Sequence, residues 1–322
     1  MKQRQIKSET FSQKLTNWMF TLGLAFVMIF HVLSANAGCL KFAQVSDAHY
    51  TSIEEDTSYK VLKSSPEILD DVIDQINSTM DTDFVLFTGD MINKTCPNQL
   101  KEFIQKANKL DIPWYTTLGN HDVQEYVMTK PTFCKIMKEN NPHINHENPY
   151  YAFSPKKGYK IICLDSIILD QITTNGRISE KQLKWLDEQL KSAKNDVVII
   201  GLHVPVIEPY NSPSHRLLNR YEVLEILHKY KNPIIVCSGH YHGTKIIQEN
   251  NVLFIDSPSL VTYPCAYRMI NIHNQRKKVI VDVSTRQTKV KSALNNAKLK
   301  VMASSFLLGS EEDRNGSFEI KK

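Results

Sequence analysis

Five short stretches of this 322-residue chain carry side chains able to do chemistry. They are Asp47-Ala48-His49, Gly89-Asp90, Gly119-Asn120-His121-Asp122, His203 after Gly201-Leu202, and Gly239-His240-Tyr241-His242. Singly, each is ordinary: a Gly-Asp after a strand is usually a turn, and one histidine between aliphatic residues is usually a satisfied core or surface group. Together, each follows an apolar run, where an α/β fold places its ligand sites. Imidazole nitrogen with carboxylate or amide oxygen, and no thiolate, suits iron, manganese or zinc. There are too many such groups for one tetrahedral ion and enough for two ions that share a carboxylate. Two ions ~3.5–4 Å apart can clamp a phosphate and hold a bridging hydroxide for in-line attack.

The elements that must hold these residues alternate along the chain. Strands are predicted at Lys41–Ser46, Phe84–Thr88, Pro113–Thr117, Tyr159–Leu164, Val197–Leu202 and Pro233–Ser238, all β-branched or aromatic and ending in Gly, Asp, Ser or His. Between them lie amphipathic helical patterns at Pro66–Met80, Leu100–Leu110, Ser179–Lys191 and Arg216–Tyr230. Ser65 is placed to cap the first with Pro66 at its first helical position, and Ser179 with Gln182 forms a capping-box pattern. After Ser238 the pattern becomes hairpin-like, with strands at Thr244–Gln248, Val252–Asp256, Arg268–His273 and Lys278–Val283. The fold class is therefore α/β, with sheets inside and helices outside. The expected domain is 38–285, and 286–322 reads as a polar tail.

Composition excludes some roles. Lys and Arg exceed Asp and Glu by only 39 to 34, a net charge of +5, without an arginine-rich cluster, so nucleic acid is not an expected partner. Residues 1–37 combine a basic lead (Lys2, Arg4, Lys7, Lys14), an apolar run from about Trp18 to Leu33, and Ala35 and Ala37 in an A-x-A pattern. This is the pattern of a signal peptide cut before Gly38, so export is expected, with a retained membrane anchor as the alternative. Cys39 follows small residues as a lipoprotein cysteine would, which gives a second route to a membrane tether, although Asn36 stands where such signals carry an aliphatic residue. Cys163 and Cys237 lie in apolar runs and read as core, whereas Cys96 and Cys134 are candidates for a disulfide.

The ordered pattern D-x-H … G-D … G-N-H-D … H … G-H-x-H, spanning Lys41 to Val283, resembles the calcineurin-like metallophosphoesterases, nearest the class III cyclic-nucleotide phosphodiesterases and small bacterial phosphohydrolases. The resemblance implies a two-sheet sandwich flanked by helices, with two transition-metal ions at the strand ends. Asp47, His49 and His242 would hold the first metal, Asp90 would bridge, and Asn120, His203 and His240 would hold the second. His121 matches the family's histidine over the substrate phosphate, which stabilises the transition state and protonates the leaving oxygen, and Asp122 would orient it. Asn120, His121 and Arg268 are the expected substrate contacts.

Departures narrow the subtype. Asn93 stands where purple acid phosphatases have a metal-binding tyrosine, and His49 supplies a histidine that they lack. Val204-Pro205 follows His203 where the cyclic-nucleotide group often has a second histidine. The loop Tyr210–His215 is expected to line the cleft, with His215 as a surface residue. The expected activity is hydrolysis of a small-molecule phosphodiester or phosphomonoester, with cyclic nucleotides among the candidates. The alternative is a metal-binding scaffold of the same fold without catalysis, against which the intact His121 and ligand set argue.

Overall fold

The computed structural model describes residues 38–301 and 305–322. The signal-peptide or anchor expectation therefore lies outside the described residues. Strands β1 (Cys39–Val45), β2 (Phe84–Phe87) and β3 (Trp114–Thr116) pair in parallel, joined by helices α1 (Ser65–Asn77) and α2 (Pro97–Ala107). After α3 (Lys130–Asn140) the chain builds a second sheet. It contains β4 (Tyr151–Phe153), β5 (Tyr159–Cys163), β6 (Val197–Gly201), β7 (Ile234–Ser238), β8 (Lys245–Glu249) and β9 (Val252–Asp256), in the order β4-β5-β6-β7-β9-β8. Helices α4 (Glu180–Ser192) and α5 (Arg220–His228) connect its parallel central strands. Strands β10 (Ala266–Asn274), β11 (Lys278–Gln287) and β12 (Gly316–Lys321) then return to the first sheet, giving β12-β11-β10-β1-β2-β3.

Side-chain alternation explains the layers. On β1, Leu40 and Phe42 join a core made with Ile161, Val197, Ile199, Ile235 and Ile255 of the facing sheet, while Ala43 and Val45 face the opposite way, toward the core under α1 and α2. Strands buried on both faces read as continuous apolar runs, which is why β6 (VVIIG) and β7 (IIVCS) show no alternation. The architecture is two mixed sheets flanked by helices. Cys163 and Cys237 lie fully buried between the sheets.

Local expectations need adjustment in several places. Helix α1 begins at Ser65, whose hydroxyl binds the Thr51 backbone and does not cap the helix. Ser179 accepts a hydrogen bond from the Gln182 backbone N–H, but the Gln182 side chain turns away from the cap to pair with both backbone groups of Asp165. Cys96 and Cys134 are not joined. The expected tail is corrected most: β11 crosses the 285/286 boundary, Ala293 and Ala297 of α6 (Lys291–Lys300) are buried, and β12 completes the sheet with Ile320 in the inter-sheet core. Two further short helices, α7 (Ser305–Leu308) and α8 (Glu311–Arg314), lie between them. The segment looked like a tail because its few apolar residues are spread among charges, each burying only one side.

Candidate metal centre

The exits of β1, β2, β6 and β7, with the loop after β3, converge on one point. Glycines allow the approach. Gly89 has φ +86°, and a Cβ there would lie 2.6 Å from the His203 ring; a Cβ at Gly119 would lie 2.0 Å from the Asp90 nitrogen. The backbone is bent sharply at the chemistry-bearing residues themselves. Asp47, His49, Asp90, His240 and His242 all have positive φ (52°, 39°, 50°, 69° and 55°). A left-handed conformation costs a residue with a Cβ roughly 1–2 kcal/mol, so the surrounding packing must hold five such residues in place, as at sites where geometry matters more than local stability.

Two clusters result, with His49, Asp90 and His121 forming a third group that overlaps both. Asp47, His49 and His242 form the first; Asp90, His203 and His240 form the second, with each cluster's ligand atoms within 4.8 Å of one another. His49 Nε2 and His242 Nε2 are 3.1 Å apart, and His242 Nε2 is 3.3 Å from Asp47 Oδ1. In the second cluster, His203 Nε2 lies 3.1 Å from His240 Nδ1, 3.2 Å from Asn120 Oδ1 and 3.3 Å from Asp90 Oδ2. The same Asp90 oxygen is 3.7 Å from His49 Nε2, so this carboxylate stands between the clusters.

The outward hydrogen bonds set the tautomers. His203 Nδ1–H donates to the Thr88 carbonyl (2.8 Å), which turns Nε2 inward. His242 Nδ1 meets the Thr262 hydroxyl at 2.9 Å, and His49 Nδ1 meets the Lys60 ammonium nitrogen at 3.3 Å. Ring nitrogens fixed on one side by a hydrogen bond and open on the other are the arrangement of metal-ligating histidines. Asp47 accepts from the Ser46 hydroxyl and the His240 backbone N–H, and Asp90 from the His121 backbone N–H, yet the side chains that converge on the centre are carboxylates and imidazoles, a set that a cation would stabilise. His240 Nε2 is buried without a hydrogen-bond partner, consistent with its Nδ1 being the inward atom. The residues thus fit two transition-metal ions.

Electrostatics agree. Burial alone would push the Asp47 and Asp90 carboxyls up, but the neighbouring imidazoles outweigh it and hold Asp47 below, and Asp90 well below, the usual carboxylate range. His49 is held well below the ordinary imidazole value by burial and by Lys60, and His240 by burial and by His203. Burial also lowers His203, but Asp90 and Asp47 outweigh it and push it up to about 9.

His121 stands at the mouth, its side chain 35% exposed and its Nε2 4.0 Å from Asp90 Oδ2. Its Nδ1–H donates to the Asn93 carbonyl, so Nε2 faces the cleft. Burial lowers its pKa, with Lys60 opposing the pull of Asp90. The expectation that Asp122 orients His121 is corrected here. Asp122 Oδ1 accepts from the backbone N–H groups of Met91 and Ile92, and Oδ2 from that of Gly119. It ties the second and third strand exits together, and Asn93 positions the imidazole. Arg268 is also corrected: its side chain is fully buried and donates to the carbonyls of Asp256 and Asp313 and to the Thr285 hydroxyl, away from the cleft.

A cleft of about 340 Å³ opens over both clusters, lined by Asp90, Asn120, His121, His240 and His242 together with Tyr59, Lys60, Tyr210, His215 and Leu307. His215, expected on the surface, lies with its ring centroid 5.0 Å from that of His240. Lys60, Thr262 and the Asn93 carbonyl escaped the sequence reading. A lysine between Tyr59 and Val61 and a threonine between Val261 and Tyr263 carry no spacing signal, and a carbonyl carries no residue signal at all.

The comparisons with known proteins agree with this geometry. The pattern of the calcineurin-like phosphoesterase family matches residues 40–244. A manganese-dependent ADP-ribose/CDP-alcohol diphosphatase of Arabidopsis thaliana is 25% identical over 260 residues, covering 65% of this chain and 82% of its own length. A 3′,5′-cyclic-nucleotide phosphodiesterase of Nostoc sp. is 26% identical over 223 residues, covering 68% and 78%. Among solved structures, a dimetal phosphatase of Danio rerio superposes with a TM-score of 0.62 at 18% identity, covering 78% of this chain and 99% of that one. The chain belongs to the calcineurin-like phosphoesterase family and is a metal-dependent phosphoester hydrolase.

Proposed function

We propose that the protein is an exported enzyme that hydrolyses small phosphodiesters and phosphomonoesters at a site holding two transition-metal ions. The observation that carries this reading is the inward convergence of the His49, His203, His240 and His242 ring nitrogens on Asp47, Asp90 and Asn120, with His121 at the mouth of the same cleft. When bound, such ions supply Lewis acidity toward the phosphoryl oxygens and make water acidic enough to attack phosphorus. The chain's own residues do the rest. Asp90, between the clusters, fixes their separation. Asn120 presents its amide oxygen to the second cluster and lies in the cleft wall where a phosphoryl group would sit.

His121 holds and moves a proton at Nε2. The Asn93 carbonyl accepts from Nδ1 in both the neutral and the charged ring, so it orients the imidazole and steadies the imidazolium that donates to the leaving oxygen. Burial lowers this pKa, with Lys60 opposing the pull of Asp90. Cyclic nucleotides are among the diester candidates, supported by the similarity to the Nostoc enzyme. Export is supported by the sequence of residues 1–37.

The test is hydrolysis of bis-p-nitrophenyl phosphate, p-nitrophenyl phosphate and cyclic AMP by protein loaded with manganese, iron or zinc, with and without chelator. Turnover that chelator abolishes and metal restores is the expected result. Metal uptake at both clusters with no turnover of any ester would sink the reading and favour a scaffold.

A further inference from the structure

The cleft over the metal clusters is only part of the available space. Continuous with it through Tyr59, Lys60, Asn120, His121 and Thr174 runs a larger groove of about 870 Å³. One wall comes from the segment after His121, including Val123 and Tyr126, and the other from the loop carrying Leu169 and Ile172. His121 belongs to both spaces and stands at their junction. An ester whose phosphorus lies over the clusters and whose bridging oxygen meets His121 Nε2 therefore sends its leaving group into this groove.

The groove's chemistry differs from that of the metal cleft. Tyr126 is 93% exposed, Ile172 is fully exposed and Tyr59 is 47% exposed, and all three line the groove. Scattered exposed apolar residues are common; a set of them along a space that opens from a catalytic cleft marks a surface made to be covered. Tyr126 is also held in an unfavourable backbone conformation, φ +67°, at the tip of a hairpin closed by Gln124 N–H to Met128 O (3.0 Å) and Met128 N–H to Gln124 O (3.1 Å). A bulky residue in the left-handed region is a true outlier, and this hairpin sets the Tyr126 backbone at the groove's edge.

Charge narrows the ligand. The lining contains Lys60 and Lys94 against Glu125 and Asp170, and Lys94 is bound to Glu54 at 2.8 Å. No cationic surplus remains to neutralise a second phosphate. We propose that the groove is the leaving-group subsite and selects esters whose leaving alcohol is flat, uncharged and largely apolar, with Tyr59, Tyr126 and Ile172 as its specificity residues. This rests on the phosphoesterase reading.

The experiment compares phenyl methyl phosphate with 2-naphthyl methyl phosphate, whose leaving phenols are of similar acidity, on the metal-loaded protein and on the exposed-residue variant Tyr126→Ala/Ile172→Ala. The wild type should favour the naphthyl ester by about tenfold in kcat/KM, the effect of roughly one added ring withdrawn from water. The variant should lose most of that preference while keeping its metal content. No naphthyl preference in the wild type, or an equal preference in both proteins, overturns the proposal. Should the wild type hydrolyse neither diester, the phosphoesterase reading is decided separately by turnover of p-nitrophenyl phosphate and cyclic AMP. The groove is then judged by the fluorescence anisotropy of 2-naphthyl methylphosphonate: tighter binding to the wild type upholds it and equal binding overturns it.

Discussion

Two of the buried polar clusters among the described residues are built on contrasting principles. In the metal centre, the imidazole nitrogens of His49, His203, His240 and His242 and the carboxylates of Asp47 and Asp90 crowd within 3.1–3.9 Å of one another. Around Arg268 the terminal guanidinium nitrogens are matched, donating to the Asp256 carbonyl at 2.7 Å, the Asp313 carbonyl at 2.6 Å and the Thr285 hydroxyl at 2.8 Å, while Nε is buried without a hydrogen bond. The first cluster has the composition to take up an added cation; the second is held largely by its own hydrogen bonds. Converging like groups mark function, and matched donors and acceptors mark structure. Both the histidines and Arg268 are buried and polar, so burial alone cannot separate them.

The largest expected effects fall on function in one cluster and on stability in the other. His121→Ala should keep both metal ions and slow kcat by ~10²-fold or more, because only the proton donor at the mouth is removed. Metal analysis of the variant alongside its kinetics checks this; an empty site or full activity would remove His121 from its role. Arg268→Leu should cost about 3 kcal/mol of stability, since several buried carbonyls lose their donor. Its kcat/KM per folded molecule should stay at the wild-type value. A selective loss of substrate affinity, at unchanged stability, would return Arg268 to the site.

The same contrast shows why some of the site could be read in the sequence and some could not. Asp47, His49, Asp90, Asn120, His203, His240 and His242 are distinctive residue types at strand exits, where the fold leaves backbone free to turn, and the structure gathers them. Asp122 was assigned to the wrong neighbour because sequence adjacency to His121 says nothing of direction; its carboxylate points back to Met91, Ile92 and Gly119. Arg268 was misplaced for a similar reason: proximity in sequence to the last motif did not reveal that it belongs to a central strand covered by the C-terminal segment. That segment was itself missed, since β12 (GSFEIK) has only Phe318 and Ile320 on its apolar face, and β4 is too short for any periodic signal.

Smaller effects probe the supports of each cluster. In the second metal cluster His203 is oriented by a backbone carbonyl, which no substitution removes, whereas in the first His242 relies on the Thr262 hydroxyl. Thr262→Val should therefore weaken metal binding at the first cluster by ~10-fold or more and leave the second unchanged. Competitive chelator titration resolves the two; equal weakening at both would mean that the clusters are not independently supported.

The gentlest perturbation is Asp256→Asn beside Arg268. Burial pushes the Asp256 carboxyl up to about 7, against the pull of its hydrogen bond from Ser238 and of the Arg268 charge. The folded protein then binds this proton more tightly than the unfolded chain, whose value is near 3.8. The group's stabilisation is full below about pH 4 and is lost as pH rises through about 7, with a slope of at most about 1.4 kcal/mol per unit. Asparagine has no proton to lose, and Arg268 bonds to the Asp256 backbone carbonyl, so the substitution leaves that contact in place. Urea midpoints at pH 5 and pH 8 should fall for the wild type relative to the variant. Parallel profiles would mean that Asp256 stays ionised in the fold and that the Arg268 cluster depends on its charge after all.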